Sequence, residues 1–344
     1  MAKQRVVILF GGASSEHSIS CATAGGVLSA IDRDKYEVIP VGITRDGVFV
    51  PAVDDSSKWT LTEGELPVVE FEGKTVIWPT GGSKELKVQD STGLTSLGNV
   101  DVVFPVLHGP NGEDGTMQGF LELHNLPYVG NGVFASAAGM DKEFSKALFI
   151  AAGLPVTPHV VITEDGWLSD PESALEKVRN LGGLPLFVKP ARAGSSIGVS
   201  KVKDMADFAK ALEVAFAQDS KVTIEKGLVG REVECAVLSK LGGGAPRVSV
   251  AGEIVIRSGE FYDFEAKYRN DAAELICPAV LTTEELQVMQ SLARRAFNAL
   301  GCFGLARADF FLTKDGFFVN ELNLMPGFTP ISMYPKCSYP LEIS

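Results

Sequence analysis

A chain of 344 residues is longer than one ordinary hydrophobic core organises, so about two or three domains are expected. Apolar residues make up 45% and charged residues 22%, as in a globular protein in water. The net charge of −12, with no basic stripe, argues against a nucleic-acid partner, so any phosphate site has to be built locally from a few lysines and backbone amides. No apolar run reaches the ~18 residues that a membrane span requires, and the first strand follows Met1-Ala2-Lys3-Gln4-Arg5 with no signal-peptide pattern. The five cysteines (Cys21, Cys235, Cys277, Cys302 and Cys337) are scattered, with no C-x-x-C pair, as expected of reduced thiols in a cytoplasm. The four histidines have no metal-ligand spacing.

Residues 6–10 are an all-apolar run, the pattern of a buried parallel strand. Gly11-Gly12-Ala13-Ser14-Ser15-Glu16 follows, then a helical pattern over residues 18–31. Strand, glycine loop and helix open a doubly wound α/β domain, whose ligands collect at such loops. The loop is not G-x-G-x-x-G, so it does not read as a dinucleotide fingerprint. Glu16 is a carboxylate near a helix start, where a plain counter-charge to the helix dipole is the alternative to a binding role. Residues 36–43 read as the second strand. Residues 51–99 carry only short β-like pieces, at 68–71, 75–77 and 86–89, and read as an embellishment. Residues 100–107 form another buried strand running into His108-Gly109-Pro110-Asn111-Gly112-Glu113-Asp114-Gly115. His108 sits where strand meets glycine loop, the usual address of a binding residue in such sheets. A helix over residues 116–124 and a strand at 128–129 complete this unit.

The chain leaves the first domain near residues 131–141. A helix starts at Asp141-Lys142 and ends before Gly153-Leu154-Pro155. A strand at 160–162, a helix at 172–181 and a strand at 186–189 build a second unit. Lys189 ends that strand, ahead of the loop Ala193-Gly194-Ser195-Ser196-Ile197-Gly198. Backbone amides of such a loop can cradle phosphates, with the strand-end lysine reaching them; a surface β-hairpin is the plain alternative. A helix at 205–217 and a strand at 221–225 close the unit, and Glu225-Lys226-Gly227-Leu228 reads as a crossover. Strands at 232–238 and 247–255 follow, then residues 258–271, a Tyr-, Phe-, Lys- and Arg-containing stretch that reads as a long functional loop. A helix over 283–300 carries a capping-box pattern at its start.

The last readable element is a hairpin. Two aromatic-rich runs, 308–313 and 317–322, flank Lys314-Asp315-Gly316, which predicts a three-residue loop with Thr313 facing Phe317. Counting back sets Asp309 opposite Glu321 and Arg307 opposite Asn323, all on one face. Two carboxylates and an amide supply only oxygen, which suits a hard cation such as Mg²⁺ and not zinc or copper. An arginine beside such a metal can hold developing negative charge. A solvated hairpin face is the alternative, and the interruption of Phe, Leu and Val runs by these polar positions speaks against it.

Taken in order, these motifs resemble those of the D-alanine–D-alanine ligases of the ATP-grasp superfamily. The resemblance covers nearly the whole chain. It rests on Gly11-Gly12-x-Ser14-x-Glu16, Leu107-His108-Gly109 with Gly112-Glu113-Asp114-Gly115, and Met140-Asp141-Lys142. It continues through Val188-Lys189-Pro190 with Gly194-Ser195-Ser196-x-Gly198-Val199, Tyr262-Asp263-x-Glu265-Ala266-Lys267-Tyr268, Arg307-x-Asp309, and Glu321-x-Asn323 with Pro326-Gly327. It implies an α/β chain with the ATP-grasp fold behind a doubly wound, Rossmann-like N-terminal domain. The implied division is residues 1–135, 136–227 and 228–344.

The implied activity is ATP-dependent joining of two D-alanines through a D-alanyl phosphate, for peptidoglycan precursors, by a cytoplasmic, commonly dimeric enzyme. Lys142, Lys189 and the loop with Ser196 are then expected at the ATP phosphates, and Lys267 at the γ-phosphate. Glu225, Lys226 and Leu228 are expected at the adenine and Glu232 at the ribose. Asp309, Glu321 and Asn323 would hold two Mg²⁺ or Mn²⁺. Glu16, Ser195 and Tyr268 match a hydrogen-bonded trio over the D-alanine sites, and Arg307 and the Gly327 amide would face the tetrahedral oxyanion. Ser332 and Met333 align with the residues at the second D-alanine carboxylate, and His108 lies near the first D-alanine. Tyr268 resembles the dipeptide-forming members, against D-alanyl-D-lactate or D-alanyl-D-serine formers of the same fold. A non-catalytic nucleotide-binding regulator would have no need of the full ligand set. Family members usually continue into a longer C-terminal segment with a final helix, whereas Tyr334-Pro335-Lys336-Cys337 here passes directly to residues 338–344.

Overall fold

The computed structural model describes residues 2–61, 66–256, 273–329 and 331–338. The chain divides into two compact units: residues 1–137 with 302–306 and 324–335, and residues 138–301 with 307–323 and 336–344.

The first unit is built on β1 (Gln4–Gly11), β2 (Tyr36–Ile43) and β3 (Phe49–Pro51). Further on, β4 (Thr75–Ile77), β5 (Glu85–Asp90) and β6 (Gly93–Asn99) form a small antiparallel sheet of their own. With β7 (Val102–Pro105), the main sheet has the order β3-β2-β1-β7, in which β2 and β7 flank β1 in parallel. Side chains of β1 alternate between two cores. Val6, Ile8 and Phe10 pack with Cys21, Ala24, Val27 and Leu28 of α1 (His17–Ala30). Val7 and Leu9 pack with Met117 and Leu121 of α2 (Thr116–Leu123) and with the small sheet. A strand apolar on both faces and covered on both is the doubly wound arrangement. The β-like piece expected at residues 68–71 is irregular instead. The Val69 amide there donates to His17 Nε2, not to a strand ladder.

The second unit starts within α3 (Val133–Met140), an element that sequence patterning did not single out. In α4 (Lys142–Ala151), Asp141 is the N-cap and accepts from the amides of Glu143 and Phe144. Then come β8 (His159–Thr163), α5 (Glu164–Ser169), α6 (Pro171–Arg179), β9 (Leu186–Pro190), β10 (Ser200–Val202), α7 (Phe208–Phe216) and β11 (Lys221–Lys226). The four strands form a sheet of order β10-β9-β11-β8. Leu186, Val188, Val222 and Ile224 pack with Ala174, Val178, Phe208 and Leu212 of α6 and α7. By alternation, the opposite face carries Lys189, Thr223 and Glu225. β9 and β10 are antiparallel neighbours, so the 191–199 loop is also the connection of a β-hairpin.

A second sheet of this unit has the order β14-β13-β12-β15-β16. Its strands are β12 (Gly230–Leu238), β13 (Arg247–Ile256), β14 (Ala273–Ile276), β15 (Leu305–Thr313) and β16 (Gly316–Asn323). The amphipathic α8 (Thr283–Ala299) covers it with Met289, Leu292, Ala293, Ala296 and Phe297, and its capping box joins Thr282 and Glu285. α9 (Met333–Ser338) is the last described element.

The hairpin corrects one expectation while preserving its consequence. Thr313 pairs with Gly316, not Phe317, because only Lys314 and Asp315 lie in the loop. The Thr313 hydroxyl accepts from the Asp315 amide at 3.0 Å and donates to the Gly316 carbonyl at 3.1 Å, which stabilises the shorter turn. The one-residue slip is recovered further along. Phe310 faces Val319 and Asp309 faces Glu321, so Asn320 is an extra residue bulging from β16. Asp309–Glu321 and Arg307–Asn323 are therefore cross-strand pairs, as the alternation predicts.

Candidate functional site

In the second unit, polar side chains gather on the sheet face opposite α6 and α7. Glu225 is 2% exposed, and Lys189 donates to its Oε2 at 2.8 Å. Lys146 Nζ lies 3.2 Å from the other oxygen, Oε1. Burial would raise the Glu225 carboxyl, but the charges of Lys146 and Lys189 outweigh it and bring the pKa down to about 2. Burial likewise pulls Lys189 down, and Glu225 more than restores it, leaving it above the ordinary lysine value. Lys142 is different. Burial draws it below the ordinary value; Glu321 and Glu225 oppose that shift while the Lys189 and Lys146 charges add to it. Its ammonium donates to the Ala193 carbonyl at 2.8 Å, which ties α4 to the glycine-serine loop.

That loop has a special backbone. Ser195 and Ser196 adopt φ of 49° and 59°, and Gly198 follows at 72°. Left-handed conformations at two non-glycine residues are the kind of strain found at binding loops, and they recur in anion-binding nests. The start of the loop is pinned by Asp219, which accepts from the Arg192 amide at 2.8 Å and from its Nε at 3.0 Å.

Among the described residues, two buried oxygens on the face of β11 accept no well-aligned hydrogen bond: Thr223 Oγ1 and Glu225 Oε1, the latter ion-paired with Lys146. On the hairpin, the buried Asn323 Oδ1 is in the same condition. An orphaned buried acceptor is uncommon and points to a partner from outside the chain. Oxygen acceptors beside Asp309 and Glu321 fit a hard cation, so the donor set agrees with Mg²⁺ or Mn²⁺. Asp309 is gripped by Arg307 through both oxygens, and Arg307 Nε also lies 3.2 Å from Glu234 Oε2. Burial opposes the charge on Arg307, and Asp309 and Glu234 override it, holding the guanidinium protonated. Glu232 is on β12, facing Ile254, and Lys226 and Leu228 are partly buried at the β11–β12 connection.

In the first unit the groups converge on α1. Glu16 is the N-cap residue and is 4% exposed, but its side chain makes no capping bond, so it does not serve as a cap. Its carboxylate lies against Gly109: a Cβ there would stand 2.5 Å from Glu16 Oε2, at a φ of +77°. The two glycine loops thus meet face to face, which requires glycine at 109. His108 is buried, with Nε2 2.9 Å from Thr23 Oγ1 and Nδ1 3.9 Å from Glu113 Oε2. Gly327 approaches the same place, since a Cβ on it would stand 2.8 Å from Ser332 Oγ and 3.9 Å from Thr23 Oγ1. Ser332 Oγ is 2.8 Å from Thr329 Oγ1, and Met333 is buried beside it in sequence. The glycines of α1 make this approach possible: a Cβ on Gly26 would strike the Phe328 carbonyl, and one on Gly25 the Trp59 carbonyl. A cavity of about 250 Å³ adjoins His108, lined in part by Ser14, Phe49, Leu107, Asn111 and Phe120.

Of the residues expected at the site, Lys189 and Glu225 share one sheet face with Lys142 of α4 within electrostatic reach of both, and Arg307, Asp309, Glu321 and Asn323 share the hairpin. His108, Gly327 and Ser332 gather near Thr23. Glu16 and Ser195 belong to different units, and Lys267 and Tyr268, with the long loop over 258–271, lie outside the described residues. Sequence reasoning passed over Lys146, Thr23, His17 and Glu234. Each sits in an ordinary helix or strand pattern, and only its burial with a charged or polar partner marks it.

Comparison with known proteins identifies the family. The family models described as "D-ala D-ala ligase N-terminus" and "D-ala D-ala ligase C-terminus" match residues 5–131 and 148–340. The D-alanine–D-alanine ligase of Arthrobacter sp. (strain FB24) is 52% identical over 341 residues, 97% of this chain and 89% of that protein. That of Streptomyces coelicolor is 51% identical, over 96% and 87%. Among solved structures, the VanG D-Ala:D-Ser ligase from Enterococcus faecalis superposes with a TM-score of 0.81 at 34% identity, covering 100% of this chain and 96% of that one. The D-alanine-D-alanine ligase from Coxiella burnetii gives 0.80 at 32% identity, over 98% and 89%. These neighbours have the ATP-grasp fold. With both family models matched and half the residues identical across nearly its whole length, the chain belongs to the D-alanine–D-alanine ligase family.

Proposed function

We propose that this chain joins two molecules of D-alanine at the expense of ATP. The observation that carries the reading is the hairpin face, where Arg307, Asp309, Glu321 and Asn323 stand in two cross-strand pairs separated by the Ala308–Leu322 pair. A carboxylate is a poor acyl electrophile, so the first D-alanine has to be activated by the ATP γ-phosphoryl group to an acyl phosphate. Lys142 and Lys189 offset the charge of the phosphates beneath the Ser195–Ser196 loop, and Lys267 serves the γ-phosphate. Glu225, with the backbone of Lys226 and Leu228, takes the adenine, and Glu232 the ribose. Asp309, Glu321 and Asn323 would hold two Mg²⁺ or Mn²⁺, which neutralise phosphate charge when bound. The free amine of the second D-alanine then attacks the carbonyl carbon of the acyl phosphate, and as the amide C–N bond forms the acyl C–O bond breaks and inorganic phosphate leaves. Arg307 and the Gly327 amide are donors for the oxyanion, His108 serves the first D-alanine, and Ser332 and Met333 the carboxylate of the second. Glu16, Ser195 and Tyr268 order the segments over the amino acids.

The product feeds peptidoglycan precursor synthesis in the cytoplasm. Five cysteines, all free, are in keeping with a reducing compartment. No described helix is long and apolar enough to cross a membrane. The working form is a homodimer, with the three-part division at residues 1–135, 136–227 and 228–344, which the separate sheets support.

The likeness to a D-Ala:D-Ser ligase favours one second reading, in which D-serine is the acceptor. Phosphate release from ATP with D-alanine alone, and with D-alanine plus D-serine or D-lactate, followed by identification of the product, decides between them. Release with D-alanine alone and a D-alanyl-D-alanine product is the expected result. A mixed product as the main species would reassign the acceptor, and no amino-acid-dependent release would overturn the ligase reading.

A further inference from the structure

Lys146 projects from α4 and is 1% exposed, among the most completely buried large side chains in the protein. A buried ammonium is costly unless paired, and an apolar side chain of the same length would fill the space at lower cost. Its two contacts indicate what the charge is kept for. Nζ lies 3.2 Å from Glu225 Oε1, and it donates to the Asn320 carbonyl at 3.2 Å. Asn320 is the bulged residue of β16, next to Glu321, so its carbonyl stands outside the regular cross-strand pairing.

Glu225 therefore has a lysine on each oxygen, Lys189 on Oε2 and Lys146 on Oε1. The two contacts are not equivalent. The Lys189 contact is an aligned hydrogen bond. Oε1 is ion-paired with Lys146 and, among the described residues, accepts no well-aligned bond, so with two lone pairs it has capacity for an incoming donor. An ionised carboxylate is an acceptor only. A purine with an exocyclic amine at its 6-position can donate to it, whereas a 6-oxo purine would set a carbonyl against it and leave Oε1 unpaired. Sites built around one buried acceptor reject the analogue that lacks the donor far more strongly than they reject a change of shape.

We propose that Lys146 is a positioning residue for nucleotide selectivity, pinned by the Asn320 carbonyl and fixing Glu225 Oε1 as the acceptor for the exocyclic amine of an adenine base. The proposal rests on the reading of this face as the ATP site. The depressed pKa of Glu225 agrees with it, since the carboxylate stays charged throughout the working pH range.

The test is equilibrium binding of non-hydrolysable ATP and GTP analogues to the full chain without D-alanine, so that turnover plays no part. Lys146→Met removes the charge at near-constant volume. Lys146→Gln removes the charge and keeps a donor for Asn320. Melting curves establish that each variant is folded at the temperature of measurement. In wild type the ATP analogue should bind more tightly than the GTP analogue. In both variants the ATP analogue should lose at least about tenfold in affinity while the GTP analogue changes by less than about threefold, compressing the ratio. A folded variant that keeps the wild-type ratio overturns the proposal, and so does an equal loss for both analogues, which is what a purely structural role would produce. Wild-type protein that fails to distinguish the two analogues would instead overturn the nucleotide reading of the face, and the role of Lys146 with it.

Discussion

Arg307 grips Asp309 through both carboxylate oxygens, Nε to Oδ1 at 2.7 Å and Nη2 to Oδ2 at 2.6 Å, two residues apart on β15. Bidentate guanidinium–carboxylate pairs of this kind are strong and directional. The same guanidinium has Glu234 at 3.2 Å on the neighbouring strand. Asp309 can therefore be shared with a cation without stranding Arg307, because Glu234 remains as its partner. The arrangement holds a positive group rigidly beside an all-oxygen face, which is the preorganisation that stabilisation of an oxyanion requires.

Replacement of the hairpin carboxylates should separate activity from folding. Asp309→Asn and Glu321→Gln should each lower Mg²⁺-dependent turnover by roughly 10²–10³-fold, the loss typical of removing one preorganised charge-stabilising group. Both variants should still unfold in a single cooperative transition. Turnover near wild type in either variant, measured by phosphate release, would remove the hairpin from the reaction.

Glu225 should make stability acid-sensitive in a defined window. Its folded-state pKa lies near 2, below the ordinary 4.5, so the unfolded chain takes up the proton more readily. The stabilisation is complete above pH 4.5 and is lost as the pH falls toward 2, by an amount on the order of 3 kcal/mol. Denaturant titrations between pH 6 and 2 should show this loss in wild type, and Glu225→Gln should lack that part of it. Parallel pH profiles for the two proteins would contradict the buried pairing with Lys146 and Lys189.

Gly26→Ala should reverse the usual helix rule. At an open helical position alanine gains about 1 kcal/mol over glycine. Here the added methyl meets the Phe328 carbonyl, so the loop bearing Gly327 and Ser332 has to shift. A stability loss of about 1–3 kcal/mol is expected, together with a raised KM for D-alanine. An unchanged or increased melting temperature with unchanged KM would mean that α1 does not set the position of that loop.

Thr282→Ala is the counterpart, touching stability alone. The Thr282 hydroxyl accepts from the Glu285 amide at 3.1 Å, and the Thr282 amide donates to Glu285 Oε2 at 2.7 Å. Loss of the cap should cost about 1 kcal/mol. KM and kcat should stay at wild-type values. Altered kinetics at full folding would place the start of α8 in the functional site.

The hairpin illustrates what could be read from the chain before folding. Alternation along two short runs put Arg307, Asp309, Glu321 and Asn323 on one face, and that survived an error in the loop. The expected three-residue turn is a two-residue turn, and the bulge at Asn320 absorbs the difference. The bulge was invisible in sequence because Asn320 differs from its neighbours in nothing local. Its reason is tertiary: its carbonyl accepts from Lys146, 174 residues away.

Glycine loops, strand ends and the cap of α8 were legible because each depends on residues within one turn or one alternation of one another. By itself the sequence determined the doubly wound start, the all-oxygen hairpin face and the family to which the chain belongs. Burial and charge pairing were decided only by the tertiary structure. Lys146 reads as an ordinary helical lysine until Glu225 is placed against it, and Gly26 reads as a helix defect until Phe328 arrives. Thr23 gains its role when His108 and Gly327 converge on it. The physical reason is that desolvation and pairing are properties of the space in which distant segments meet, and no local pattern encodes which segments will share it.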